Sequence, residues 1–166
     1  MTREEFVDRF GDVFEHSPWI AERAWDHDRI SEPLTSTGVH EAMCAEFRAA
    51  SRRARTEVLR AHPDLAGRLA LANQLTASSK AEQAGAGLDR LTPDEHARFT
   101  ELNDRYMETF GFPFIIAVRG HDKHSILEAF EDRVTHTLDE EFEVACAQVE
   151  RIADFRITDL VNGDTA

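Results

Sequence analysis

The sequence predicts an all-α protein with one extended apolar segment near 112–118, and three observations predict it. Helix-start signals recur along the chain, apolar residues follow them three and four positions apart, and no segment alternates as a half-buried strand does. A chain of 166 residues, 42% hydrophobic and with eleven Phe, has apolar mass enough for one core. Residues 1–166 are therefore expected to form a single compact multi-helix domain.

The first helix opens at "TREEF", where Thr2 and Glu5 make a capping box and Phe6, Phe10 and Val13 follow at helical spacing. Ser17-Pro18 opens a second helix with Trp19 and Ile20, proline taking the favoured first position. After a loop around Pro33, Val39, Met43 and Phe47 recur every fourth residue. The basic run "SRRARTEVLRA" continues into His62 and stops at Pro63, because the residue before a proline avoids the α region. "SSKAEQAGAG", 78–87, reads as a short polar helix start with a small-residue tail. "LTPDEH" is the strongest start, with Thr92 as cap, Pro93 inside and Glu95 closing the box; Phe99, Leu102, Tyr106 and Phe110 carry it to Gly111. A last long helix starts near Thr137 and Glu140 and turns Phe142, Ala145, Val149 and Ile152 inward.

"FGFPFIIAVRG", 110–120, interrupts this order: an apolar, β-branched run with no second strand to pair with. Buried, unpaired amides and carbonyls cost a few kcal/mol each, on the order of 2–7. Side-chain or turn partners and water could satisfy them, or some could face a polar ligand.

The net charge of -13 argues against a nucleic-acid binder, which needs clustered Lys and Arg, and against docking on anionic lipid. An anionic small molecule remains compatible if the pocket carries local positive charge. Cys44 and Cys146 form no CxxC pair and are expected to be buried thiols. No signal-like start, bilayer-spanning run or peroxisomal-type ending stands in the sequence, so a cytoplasmic protein is expected.

Four places could carry chemistry. His62 could be a core histidine, yet its position at a helix end beside Pro63 also makes it a rigid presenter of an imidazole that titrates near neutrality. Ser79-x-x-Glu82 matches a capping box, which taken alone would leave Gln83 facing solvent, although the glycine tail would let a ligand approach closely. Arg156 continues the inward row 142, 145, 149, 152, so it should be paired or line a pocket unless the helix end overhangs into solvent. His121 and His124 sit in the polar loop "GHDKH" without a third metal ligand at diagnostic spacing, and read as a solvated turn. There is no nucleophile elbow, P-loop or cofactor motif.

Together, "AHPDLAGRLA", then "LTASSKAEQAGAGLDRLTPDEHARFTELNDRYMETFGFPFIIAVRG", then "RIADFRITDL" closely resemble the OHCU decarboxylases. The resemblance covers most of the chain, and the order of HP, S-x-x-E-Q, FGFPF and a late Arg is specific. It implies a cofactor-free and metal-free all-α homodimer that converts 2-oxo-4-hydroxy-4-carboxy-5-ureidoimidazoline, a product of urate oxidation, to (S)-allantoin and CO2. Its catalytic histidine falls on His62, with Glu82 beside it in the chemistry. Its substrate-binding residues fall on Pro63, Ser79, Glu82, Gln83, the run Phe114, Ile115, Ile116, Ala117, Val118, and Arg156. One departure is "TASSK", where many members carry an acidic residue before the serine and a residue other than Lys after it. The combined pattern outweighs the local capping box, so Glu82 and Gln83 are expected to face the pocket of His62. Two rival classes make different demands: a metal-dependent hydrolase of a ureido compound would lose activity to chelator, and an acidic helical interaction module would leave His62 exposed.

Overall fold

The computed structural model describes residues 1–65 and 77–163, and among these every regular element is helical. In chain order the helices are α1 (Arg3–Phe10), α2 (Trp19–Asp26), α3 (Ser36–Ala49), α4 (Arg52–Ala61), α5 (Ala77–Gly85), α6 (Pro93–Phe110), α7 (Lys123–Arg133) and α8 (Leu138–Asn162). The stretches 66–70 and 75–76 of the family pattern lie outside the described residues.

Local chemistry accounts for most boundaries. The capping boxes of Thr2 with Glu5 and Thr92 with Glu95 are both formed, the second with Pro93 as first helical residue. Helix α6 ends where Gly111 takes the left-handed conformation, φ 77°, which costs a glycine nothing. Thr137, just before α8, exchanges bonds with Glu140 in its first turn. Pro18 caps α2 from outside and is not its first residue. The loop reading of "GHDKH" needs correcting beyond its first residues. Asp122 caps α7, accepting from the Ser125 amide at 2.8 Å, while the Ser125 hydroxyl accepts from the Asp122 amide at 3.0 Å. That box uses serine where the usual pattern has Glu or Gln, so the polar letters hide a helix start.

The chain divides into two compact units: Met1–Ala61 with the described part of Val149–Ala166, and His62–Gln148. The first has Phe6, Phe10, Phe14, Ile20, Met43 and Phe47 fully buried. Cys44 there and Cys146 in the second unit are buried thiols. In the second unit Tyr106 meets Phe112 and Phe114 edge-on at 5.9 and 5.5 Å, and Phe114 stacks on Phe130 at 4.0 Å. Phe112 and Phe114, two residues apart, thus share one face, as they must where the chain is extended. The expected apolar segment 112–118 lies outside any helix or strand, and its residues are all buried.

Candidate active site

His62 and Pro63 follow α4 directly, both buried, with His62 6% exposed. The turn they begin is anchored: Asn103 Nδ2 on α6 donates to the Leu65 carbonyl at 2.9 Å. Between them, burial first and the negative charge of Asp104 second hold the Asp64 carboxyl above its ordinary value. Asp64 Oδ1 and Asn103 Oδ1 are buried and have no hydrogen-bond partner among the described residues.

Helix α5 has an unusual inward face. Its described residues begin at Ala77, so Ser79 stands inside the helix and not at its cap position. Ser79 and Gln83, four residues apart, are its two buried residues, and Glu82 is half-buried beside them. A globular helix normally turns an apolar stripe inward. Here a hydroxyl and an amide occupy that place. Beyond them Gly87 takes φ 79° and lines a cleft of about 400 Å³ with Gly85, Arg90, His121, Asp122 and Lys123. None of the expected site residues lines that cleft. His121 Nδ1 lies 3.0 Å from Ser125 Oγ, within the start of α7.

The extended segment finds its partners in side chains and a turn. Arg133 Nη1 donates to the Ile115 carbonyl at 2.7 Å, and the Ala117 amide donates to Gln148 Oε1 at 2.9 Å. The His121 amide donates to the Val118 carbonyl at 2.9 Å. Arg133 is itself held by buried Glu141, its Nη2 3.0 Å and its Nε 3.2 Å from the carboxylate. Glu141 also accepts from the Tyr106 hydroxyl at 2.5 Å and lies 2.9 Å from His136 Nδ1. Burial, and then the bond to Glu141, push the Tyr106 phenol far above its ordinary value, so it stays a donor.

Arg156 belongs to the first unit and is 6% exposed. Its guanidinium lies 3.2 Å from Glu15 Oε1 and donates to the Val13 carbonyl at 3.1 Å. Of the alternatives the helical row left open, Arg156 takes the inward, paired one and does not overhang into solvent. His62, Pro63, Ser79, Glu82, Gln83 and the run Phe114 to Val118 all belong to the second unit.

Sequence reasoning missed Arg133, Glu141, Gln148 and Glu15. Two carried a usable signal. Glu141 stands one turn before Ala145 on the inward row of α8, and Arg133 follows Ile126 and Phe130 on the buried face of α7. An ionisable residue in such a row must have a partner.

Comparison with known proteins adds family and fold. The OHCU decarboxylase family model matches residues 1–158. A 2-oxo-4-hydroxy-4-carboxy-5-ureidoimidazoline decarboxylase of Halalkalicoccus jeotgali is 43% identical over 159 residues, spanning 95% of this chain and 86% of that one. A crystal structure of (S)-allantoin synthase superposes with a TM-score of 0.77 at 34% identity, over 96% of this chain and 50% of that chain. This chain thus spans half of that protein. A crystal structure of OHCU decarboxylase in the presence of (S)-allantoin gives a TM-score of 0.69 at 20% identity, a likeness of fold covering 96% and 98%.

Proposed function

The chain belongs to the OHCU decarboxylase family, and from that premise we propose that it converts 2-oxo-4-hydroxy-4-carboxy-5-ureidoimidazoline to (S)-allantoin and CO2 in urate catabolism. The observation that carries the proposal is the polar inward face of α5, where Ser79 and Gln83 are buried with Glu82 beside them. Such a face suits a small ligand rich in N–H and C=O groups.

The reaction follows from the substrate's own electronics. Hydroxyl and carboxylate share one ring carbon, next to a C=N bond. When the carbon–carboxylate bond breaks, its electron pair forms a C=C bond, and the imine nitrogen takes up the displaced pair and a proton. The resulting enol-like intermediate then gains a proton on the adjacent carbon and loses the hydroxyl proton, leaving the ring carbonyl of allantoin. The electron sink lies in the substrate, so the proposal includes no metal or cofactor.

The protein's tasks are orientation and proton control. Orientation means holding the carboxylate out of the ring plane, where the breaking bond overlaps the π system. His62 is proposed to exchange a proton with the hydroxyl, a role suited to an imidazole held at a rigid helix end. Glu82 and Gln83 grip the ureido and ring N–H groups, Glu82 also orienting His62, while Ser79 and Pro63 shape the wall. Phe114, Ile115, Ile116, Ala117 and Val118 line the ring through their main chain. Arg156 is proposed as the positive partner of the anionic substrate. Proton delivery from one face accounts for a single enantiomer. The working form is proposed to be a cytoplasmic homodimer.

The test is to add the protein to freshly generated urate-oxidation product and follow optical rotation. Rapid growth of the (S)-allantoin signal is expected. Slow decay to racemic product at the unaided rate would overturn the proposal.

A further inference from the structure

The second unit contains a buried polar cluster that the proposed chemistry does not touch, and it ends on the main chain of the substrate-lining segment. Arg133, Glu141, Tyr106 and His136 are joined through the Glu141 carboxylate. The two-pronged contact to Glu141 fixes the guanidinium plane. With that plane fixed, Nη1 meets the Ile115 carbonyl at 2.7 Å, and the guanidinium carbon lies 4.4 Å from the centre of the Phe114 ring. Gln148, on α8, takes the Ala117 amide at 2.9 Å.

The pattern along the segment gives this meaning. In an extended chain the N–H and C=O of one residue point to the same edge, and those of the next residue to the opposite edge. Residues 115 and 117 therefore share an edge, and that edge is the one Arg133 and Gln148 occupy. They act as a neighbouring strand would, supplied by side chains. Ile116 lies between the two held residues, so its amide and carbonyl point to the other edge. That donor and acceptor side by side complement the C=O and N–H of a cyclic urea.

We propose that Arg133 and Gln148 are positioning residues of the reaction, which hold the Ile115 carbonyl and the Ala117 amide so that the Ile116 amide and carbonyl face the substrate ring. The inference rests on the reading that 114–118 lines the substrate. A role confined to satisfying buried groups would end with stability; a positioning role also sets ligand affinity.

Replacing Arg133 with an apolar residue would strand the Glu141 carboxylate and could unfold the protein, so half-buried Gln148 carries the test. Gln148→Met keeps length and packing and loses the acceptor; Gln148→Glu keeps an acceptor oxygen. (S)-Allantoin, which is uncharged, is the probe, measured by calorimetry, with melting temperature, kcat and KM on the same samples. The expected result for Gln148→Met is a folded protein whose melting temperature falls by several degrees as the buried Ala117 amide loses its acceptor, an allantoin Kd and a KM both raised about ten-fold, and kcat within about two-fold. Gln148→Glu is expected to recover most of the affinity. In ¹⁵N spectra of the wild type, allantoin should shift the amides of 114–118. If those amides stay unmoved, the segment does not line the ligand, and both readings fall. If they move and folded Gln148→Met binds allantoin as the wild type does, the positioning role alone is overturned.

Discussion

His62 is the residue on which the chemistry turns, and its surroundings make it testable without breaking the fold. It is buried just past α4, and asparagine, though smaller, is polar and can keep one polar contact there. His62→Asn is expected to melt within a few degrees of the wild type and to lose about 10²–10⁴-fold in turnover, the usual contribution of an acid–base group. A folded variant with near-native turnover would remove His62 from the mechanism. Arg156 poses a different question, because Glu15 and the Val13 carbonyl already hold its guanidinium. In Arg156→Lys the positive charge still compensates buried Glu15, so melting should fall only modestly. If Arg156 also grips the substrate, analogue binding should weaken by about 1.5–3 kcal/mol, since an ammonium cannot reproduce a planar two-pronged contact. Lowered melting with unchanged affinity would make it the structural partner of Glu15, leaving Arg119 as the next candidate for the substrate's charge.

Helix starts show how one side chain can serve two elements. Glu95 closes the box of α6 through the Thr92 amide at 2.9 Å, and its Oε1 also takes Lys123 of α7 at 2.7 Å. The bond to Lys123, and then the bond to the Thr92 amide, lower the Glu95 carboxyl from 4.5 to about 2. A carboxyl lowered in the folded state adds stability above its unfolded pKa and loses it as pH falls through the folded value. The contribution of Glu95 should therefore be present above about pH 4.5 and fade towards pH 2. Thermal melts of Glu95→Gln from pH 7 to pH 2 should start lower than those of the wild type and converge with them at the acid end. A constant offset across that range would mean that the ionised carboxylate contributes nothing. Helix α5 carries the opposite lesson. Its S-x-x-E letters match a cap, yet Ser79 is turned inward inside the helix.

Across the whole molecule, the two units share one continuous element, since α8 runs from Leu138 to Asn162 and the boundary falls after Gln148. A helix is cooperative along its length, so we propose that residues 1–166 unfold as a single domain. Both tryptophans, Trp19 and Trp25, belong to the first unit and report it separately. Their fluorescence melt should coincide with loss of helical circular dichroism; two separated transitions would make the units independent domains. The proposed homodimer would join two chains of -13 each, so sedimentation should show association strengthening from about 0.01 M to 0.15 M salt as screening grows. A monomer at every salt concentration would remove the dimer.

By itself the sequence determined the helical class, the caps at Thr2, Thr92 and Thr137, the stop at Gly111, the inward row of α8 and the family. These depend on residues within a few positions of one another, or on motif order, and both are written in the letters. The start of α7 was just as local but used Asp122 with Ser125, a pairing weaker in pattern than a glutamate box. Which partner an inward ionisable residue takes was decided only by tertiary structure. Arg156 meets Glu15 and Val13 at the other end of the chain, Arg133 and Gln148 meet the main chain of 115 and 117, and Tyr106 meets Glu141. Burial makes such a partner obligatory without naming it, because the cost of an unpaired charge depends on its surroundings and those are assembled from distant segments.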